Sequence, residues 1–141
     1  MTEMTWKNPG DDRIKSILEN AVTIAVVGLS ANPDKTAYQI AKIMQDKGYK
    51  IIPVNPTVDS VLGEKAYDSL TDIDVEFDII NVFRRPEHLP QIAKEAVKTD
   101  CRVFWAQLGI SNQEAYDYLT DHNFTVIMDK CIKVAHSELI S

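Results

Sequence analysis

Short apolar runs alternate with amphipathic segments along most of this chain. Residues 22–27, 50–54, 77–83, 102–105 and 125–128 are rich in β-branched and aromatic side chains, which is typical of β-strands. Between them, residues 36–47, 86–97 and 112–120 place apolar side chains on one helical face, and residues 11–20 predict an N-terminal helix. The run 22–27 is largely apolar and stops at Gly28, so we expect it to be the central strand, buried on both faces.

The alternation of strands and helices predicts a single α/β domain. Right-handed crossovers would arrange the strands as a Rossmann-like, doubly wound, mostly parallel sheet with helices on both faces. We expect the domain to span residues 1–141, with residues 1–20 forming a helical extension packed on it. Pro53 cannot donate to a strand ladder, which favours an edge or strand-end position for the second strand.

Composition narrows the class of protein. The 141 residues are 45% hydrophobic and 26% charged, which suits one globular domain, and the net charge of −6 argues against broad nucleic-acid binding. No apolar run approaches the roughly 20 residues of a membrane-spanning helix, so we expect a cytoplasmic protein without a membrane partner. Cys101 and Cys131 show neither metal-ligand nor disulfide-framework spacing, which predicts reduced thiols and no metal site.

The ends of three predicted strands carry the candidate binding chemistry. Because the carboxyl ends of parallel strands meet at one crevice, residues distant in sequence would surround a single ligand there. A glycine turn with three basic side chains suits a small molecule that bears phosphate groups. The candidate residues are Gly28, Ser30, Lys35, Thr36, Val54, Asn55, Pro56, Phe83, Arg84 and Arg85.

Each polar candidate also has a structural interpretation without a ligand. The arginine pair could be a solvated loop, Lys35 an exposed helix start, and Thr36 a helix cap, the role we favour for that residue by itself. Asn55 could belong to an ordinary turn rather than to a nucleotide-binding loop. The prediction of a ligand-binding site therefore depends on these residues lying together at one crevice.

The first loop departs from the dinucleotide-binding fingerprint. Ser30 and Pro33 occupy the second and third positions of Gly-x-Gly-x-x-Gly, and the second strand ends in Asn55 rather than in the acid that binds a ribose. An NAD(P)-binding oxidoreductase module therefore remains as the alternative. A thiol-dependent redox protein that uses Cys131 is a weaker third hypothesis, because no resolving cysteine is evident.

Five ordered segments carry a resemblance to a known family. They are residues 27–35, 48–56, 82–87, 105–110 and 128–131 with His136, which together cover most of the chain after the N-terminal helix. In these segments the chain resembles the small single-domain CoA-binding proteins and the CoA-binding domain of the succinyl-CoA synthetase alpha chain. Lys35 and Lys130 stand where arginine is frequent in that family, and Ala135 stands where an acid is common.

The resemblance implies a domain that binds coenzyme A or an acyl-CoA. The first loop would lie near the phosphates, the Asn55-Pro56 loop beside the nucleotide, and Arg84-Arg85 in the same crevice. Trp105 and Gln107 would either line the pantetheine path or belong to the core.

The resemblance does not imply catalysis. The synthetase carries its phosphorylated histidine in a second domain, so we expect no ligase activity and no catalytic residue here. His88, His122 and His136 have no visible nucleophilic partner. Cys131 could form a mixed disulfide with the CoA thiol, although a buried, small apolar role is the favoured interpretation.

Overall fold

A computed structural model describes residues 5–140, and its sheet confirms the predicted fold class. Five parallel strands lie in the order β2-β1-β5-β6-β7, and β3 and β4 form a separate antiparallel hairpin. The strands are β1 (Thr23–Val27), β2 (Lys50–Val54), β3 (Ser60–Val61), β4 (Glu64–Lys65), β5 (Ile79–Val82), β6 (Val103–Ala106) and β7 (Thr125–Ile127).

Helices cover both faces of the sheet. Buried residues of α1, α2 and α5 pack with Ile24 and Val26 of β1 on one face, whereas those of α3 and α4 pack with Ala25 and Val27 on the other. This division follows from the alternation of side chains along a strand. The helices are α1 (Asp11–Asn20), α2 (Thr36–Asp46), α3 (Leu89–Ala96), α4 (Gln113–Asp121) and α5 (Ile132–Leu139), with 3₁₀ turns at Leu70–Asp72 and Pro86–His88.

The strand order creates a switch point between β1 and β5. From β1 the chain crosses outward to β2, and from β5 it proceeds in the opposite direction through β6 to β7. The register places Ile24 of β1 between Ile51 of β2 and Ile79 of β5. In open α/β sheets, ligands bind at the carboxyl ends of the strands on either side of such a reversal.

Several details differ from the sequence predictions. The central strand is β5, whereas β1, predicted to be central, lies second from one edge, although all five of its residues are buried as expected. The helix predicted from Pro86 begins with a 3₁₀ turn and becomes α-helical at Leu89. The β3–β4 hairpin and α5 were not predicted. Pro53 lies on the edge strand β2, as expected.

No helix in the described part of the chain combines the length and apolar character needed to cross a bilayer.

Candidate functional site

Gly28 lies where backbone hydrogen bonds join the carboxyl ends of β2, β1 and β5. Its φ of +86° is in the left-handed region that favours glycine, and it turns the chain sharply out of β1. The Gly28 N–H donates to the Val54 carbonyl at 3.0 Å, and the Phe83 N–H donates to the Val27 carbonyl at 2.9 Å. The ends of β2, β1 and β5 therefore form one continuous edge at the switch point.

The side chain of Arg84 lies against this glycine. A Cβ atom at Gly28 would lie 2.8 Å from the Phe83 carbonyl oxygen and 3.0 Å from Arg84 Cδ. The separation from the Phe83 carbonyl oxygen is too short for a real Cβ and that from Arg84 Cδ is tight, so the missing Cβ lets the backbone and the arginine approach closely. The structure thus brings together the first and third candidate segments.

The β1–α2 loop is ordered by its own polar side chains. The hydroxyl oxygen of Ser30 accepts from the Asn32 N–H at 3.0 Å, and Asn32 Oδ1 accepts from the Asp34 N–H at 3.0 Å. Ser30 therefore serves as an acceptor within the loop, while its own hydroxyl proton is available to donate. Leu29 anchors the loop because its side chain is fully buried.

Helix α2 begins at this edge without a side-chain cap. Lys35 occupies the N-cap position and makes no side-chain capping bond, whereas Thr36 is the first helical residue, so our expectation that Thr36 caps the helix is wrong. The first N–H groups of a helix have no intrahelical partner and carry the positive end of the helix dipole. An anion is therefore favoured at this end of α2.

Asn55 joins the second loop to the first. Its Nδ2 donates to the Leu29 carbonyl at 3.0 Å, while its Oδ1 accepts from the backbone N–H and hydroxyl of Thr57 at 2.9 and 2.6 Å. Sequence reasoning placed Asn55 at the site but missed this bridging role. The Asn-Pro-Thr order, which is typical of an Asx turn, could have indicated the hydrogen bonds to Thr57 but not the one to Leu29. Pro56 is exposed and Val54 is buried beneath the loop.

None of the three basic candidate side chains forms a salt bridge with a carboxylate of the described residues. Lys35, Arg84 and Arg85 are exposed, and Phe83 beside them is half-buried. Within residues 5–140, the salt bridge that the structure contains joins Lys42 to Asp46. The edge therefore combines unneutralised positive charge with free helix amides in a protein of net charge −6.

The loops after β6 and β7 extend the same edge. The Gln107 N–H donates to the Val82 carbonyl at 3.1 Å, which places Gln107 next to the end of β5. The indole N–H of Trp105 donates to the Lys130 carbonyl at 2.8 Å, and Asp129 Oδ1 accepts from the Gly109 N–H at 2.6 Å. Trp105 is fully buried and belongs to the core, which is one of the two positions expected for it.

Two residues with shifted pKa values, Cys101 and His136, lie away from this edge. Burial raises the pKa of the Cys101 thiol to about 11, and Cys101 precedes β6 at the amino end of the sheet. Burial, followed by the charge of Lys47, lowers the pKa of His136, which packs edge-on against Tyr49 before β2. Among residues 5–140, no group of three or more His, Cys, Asp or Glu side chains could hold a metal ion.

Two cavities open at the amino end of the sheet rather than at the candidate site. The larger, of about 500 Å³, is bounded by residues 70–78 and 98–101, and the smaller, of about 250 Å³, lies between α1 and the start of β5 and β6. The candidate site at the carboxyl end is an open crevice formed by loops.

Comparison with known families decides how this edge is interpreted. The model of the family described as a CoA binding domain matches residues 22–137, from the start of β1 into α5. This chain belongs to the CoA-binding domain family. The resemblance noted in the sequence is thereby confirmed.

Relatives of this chain include a small protein and a segment of a much larger ligase. The uncharacterized protein YneT of Bacillus subtilis is 56% identical over 131 residues, which cover 93% of this chain and 97% of YneT. An ADP-forming acetate–CoA ligase of Methanocaldococcus jannaschii is 24% identical over 125 residues. Those residues are 83% of this chain but only 18% of the ligase.

Solved structures of similar size share the fold. A hypothetical protein from Pyrococcus horikoshii OT3 superposes with a TM-score of 0.91 over the full length of both chains at 28% identity. A Thermus thermophilus protein superposes with a TM-score of 0.90 at 31% identity, covering 94% of this chain and all of its own.

Proposed function

We propose that this protein binds coenzyme A, free or acylated, in the crevice at the carboxyl ends of β1, β2 and β5. The observation that carries the proposal is the meeting of Gly28 and Arg84 at the switch point of a CoA-binding-domain fold. In this arrangement the phosphates lie over the Gly28 turn and the first turn of α2, and the nucleotide lies beside Asn55 and Pro56.

Electrostatics support a ligand with several phosphate groups. CoA carries a pyrophosphate and a 3′-phosphate, and guanidinium groups donate to such oxygens in pairs. Arg84, Arg85 and Lys35 have no carboxylate partner among the described residues, so their charges remain available to a ligand. The N–H groups of α2 and the Ser30 hydroxyl add neutral donors at the same edge.

The NAD(P) alternative lacks comparable support. Ser30 and Pro33 replace two glycines of the dinucleotide-binding fingerprint. Asn55 at the end of β2 has no carboxylate for a ribose, and its side chain is hydrogen-bonded to Leu29 and Thr57. We therefore retain NAD and NADP as competitors to be tested, not as the proposed ligands.

We further propose that binding is non-catalytic and that the protein acts as a cytoplasmic CoA carrier or CoA-responsive regulator. No described histidine, cysteine or carboxylate lies at the crevice in a nucleophile–base arrangement. The larger relatives are ligases, and this chain matches only a small share of their length.

The test is calorimetric titration of the purified protein with CoA, dephospho-CoA, NAD and NADP at matched ionic strength. We expect CoA to bind most tightly and dephospho-CoA more weakly, because it lacks the 3′-phosphate. Equal or tighter binding of NAD would overturn the proposal, as would the absence of measurable CoA binding.

A further inference from the structure

The turn that follows Arg84 and Arg85 is joined to the start of α4 by the side chain of Asn112. Asn112 Nδ2 donates to the Pro86 carbonyl at 3.1 Å, across a separation of 26 residues along the chain. The same carbonyl accepts from the N–H of Leu89, where α3 begins. Both lone pairs of this oxygen are therefore used, and the turn is fixed relative to both helices.

The oxygen of the same carboxamide caps α4. Asn112 is the N-cap residue, and its Oδ1 accepts from the Ala115 N–H at 2.9 Å. A cap of this kind satisfies a helix N–H that has no intrahelical partner, and serine at the N-cap does so about as well as asparagine. Capping therefore accounts for the oxygen of Asn112 but not for the donor that reaches Pro86.

The arginine pair depends on the backbone around it. Arg84 and Arg85 are exposed, and neither guanidinium takes part in a salt bridge within residues 5–140. On the amino side of the pair, the Phe83 N–H bonds to the end of β1 at 2.9 Å. On the carboxyl side, Pro86 restricts Arg85 to the extended conformation, with φ −58° and ψ 150°, and Asn112 holds Pro86 in turn. These two attachments fix the point from which both side chains extend.

We propose that Asn112 is a positioning residue for the arginine pair, and that its bond to Pro86 keeps both guanidinium groups directed at the phosphates of CoA. The inference rests on the proposed function, and in it Asn112 acts through the arginines without touching the ligand. A pair that is already held in place loses less conformational freedom on binding, which favours affinity. Without the bond, both charges would remain but would occupy more orientations.

The test is calorimetric titration with CoA in a double-mutant cycle. Asn112→Ser is measured in the wild type and in a background that carries Arg84→Ala and Arg85→Ala. Serine retains a cap for α4, but its shorter side chain does not extend to Pro86. We expect CoA binding about 3- to 10-fold weaker in the wild-type background, as for the loss of one neutral hydrogen bond. We expect no further loss in the background without the arginines, whereas a merely structural defect would weaken binding in both.

Gln113→Ala is the matched control, at the next position of the same helix. Gln113 Oε1 accepts from the N–H groups of Thr5 and Trp6 at 2.6 and 2.9 Å. The substitution therefore releases the N-terminal segment and leaves the bond from Asn112 to the arginine turn in place. CoA affinity should stay at the wild-type value. An equal loss in Gln113→Ala and Asn112→Ser would overturn the inference, because any loosening at the start of α4 would then explain both.

The outcomes separate this inference from the proposed function. If the wild type does not bind CoA, both proposals fail. If it binds CoA and Asn112→Ser binds it equally tightly, or loses the same factor with and without the arginines, only the role of Asn112 is overturned. Should Asn112→Ser fail to fold, Asn112→Thr replaces it with the same expected result, because threonine also caps a helix and has no carboxamide.

Discussion

The aliphatic stem of Arg84 lies over Gly28, with Arg84 Cδ 3.0 Å and Cγ 3.3 Å from where a Cβ would be. Gly28→Ala should therefore displace the arginine and the Phe83 carbonyl and also strain a backbone at φ +86°. We expect a loss of about 1–3 kcal/mol in the free energy of unfolding, measured by urea denaturation. CoA affinity should fall as well, because the displaced arginine belongs to the proposed site.

Gly48→Ala is the matched control for that substitution. Gly48 has a φ of +106°, but a Cβ there would meet nothing within 4 Å. It should lose stability through backbone strain alone and keep its CoA affinity. If both variants lost CoA affinity equally, the contact between Gly28 and Arg84 would not be what shapes the site.

The arginine pair is expected to contribute affinity rather than stability. Arg84→Ala combined with Arg85→Ala removes two exposed charges that have no carboxylate partner among residues 5–140. Charge-assisted hydrogen bonds are worth about 1.5–3 kcal/mol, so calorimetry should show CoA binding at least tenfold weaker. The thermal midpoint should change little.

Lys94→Ala combined with Lys98→Ala provides a control with the same change in net charge. Both lysines are exposed and lie in or just after α3, away from the candidate residues. A similar loss of CoA affinity in this control would mean that overall charge, and not the position of the arginines, governs binding.

Asn55→Asp tests the bridge between the first two loops. The substitution keeps an acceptor for Thr57 but removes the N–H donor to the Leu29 carbonyl, leaving an oxygen facing an oxygen. We expect about 1–3 kcal/mol less stability and weaker CoA binding. Thr57→Val removes only the hydroxyl bond to Asn55, so it should cost about 0.5–1.5 kcal/mol and leave affinity near the wild-type value.

His136 should make the fold less stable in mild acid. Burial lowers its pKa in the folded protein below the value of 6.5 expected for an exposed histidine, so the unfolded chain binds the proton more readily. The contribution is present above pH 6.5 and is lost as the pH falls through the folded-state pKa. Urea midpoints at pH 7.5 and 5.5 should therefore differ more for the wild type than for His136→Phe, which retains an aromatic ring against Tyr49. An identical pH dependence in the two proteins would contradict this assignment.

The sequence predicted the sheet because its strands are apolar runs closed by glycine, proline or charge. It also placed Gly28 and Arg84 at neighbouring strand ends, since parallel strands converge at one edge. It could not rank β5 above β1 as the central strand, because β5 includes the polar Asn81 and only the crossovers put it in the middle of the sheet. The hydrogen bond from Asn55 to the Leu29 carbonyl also escaped prediction, because its partner lies 26 residues away along the chain.

Both edges of the sheet are capped, which affects the tendency of the protein to aggregate at high concentration. Pro53 removes one donor from edge strand β2, and the Tyr67 segment bonds to the Pro53 carbonyl and the Asn55 N–H. At the opposite edge, the carboxamide of Asn8 both accepts from the Met128 N–H and donates to its carbonyl, as a neighbouring strand would. Neither edge offers a long row of unpaired backbone groups to a second molecule, so the sheet is a poor template for intermolecular β-pairing and amyloid-like growth.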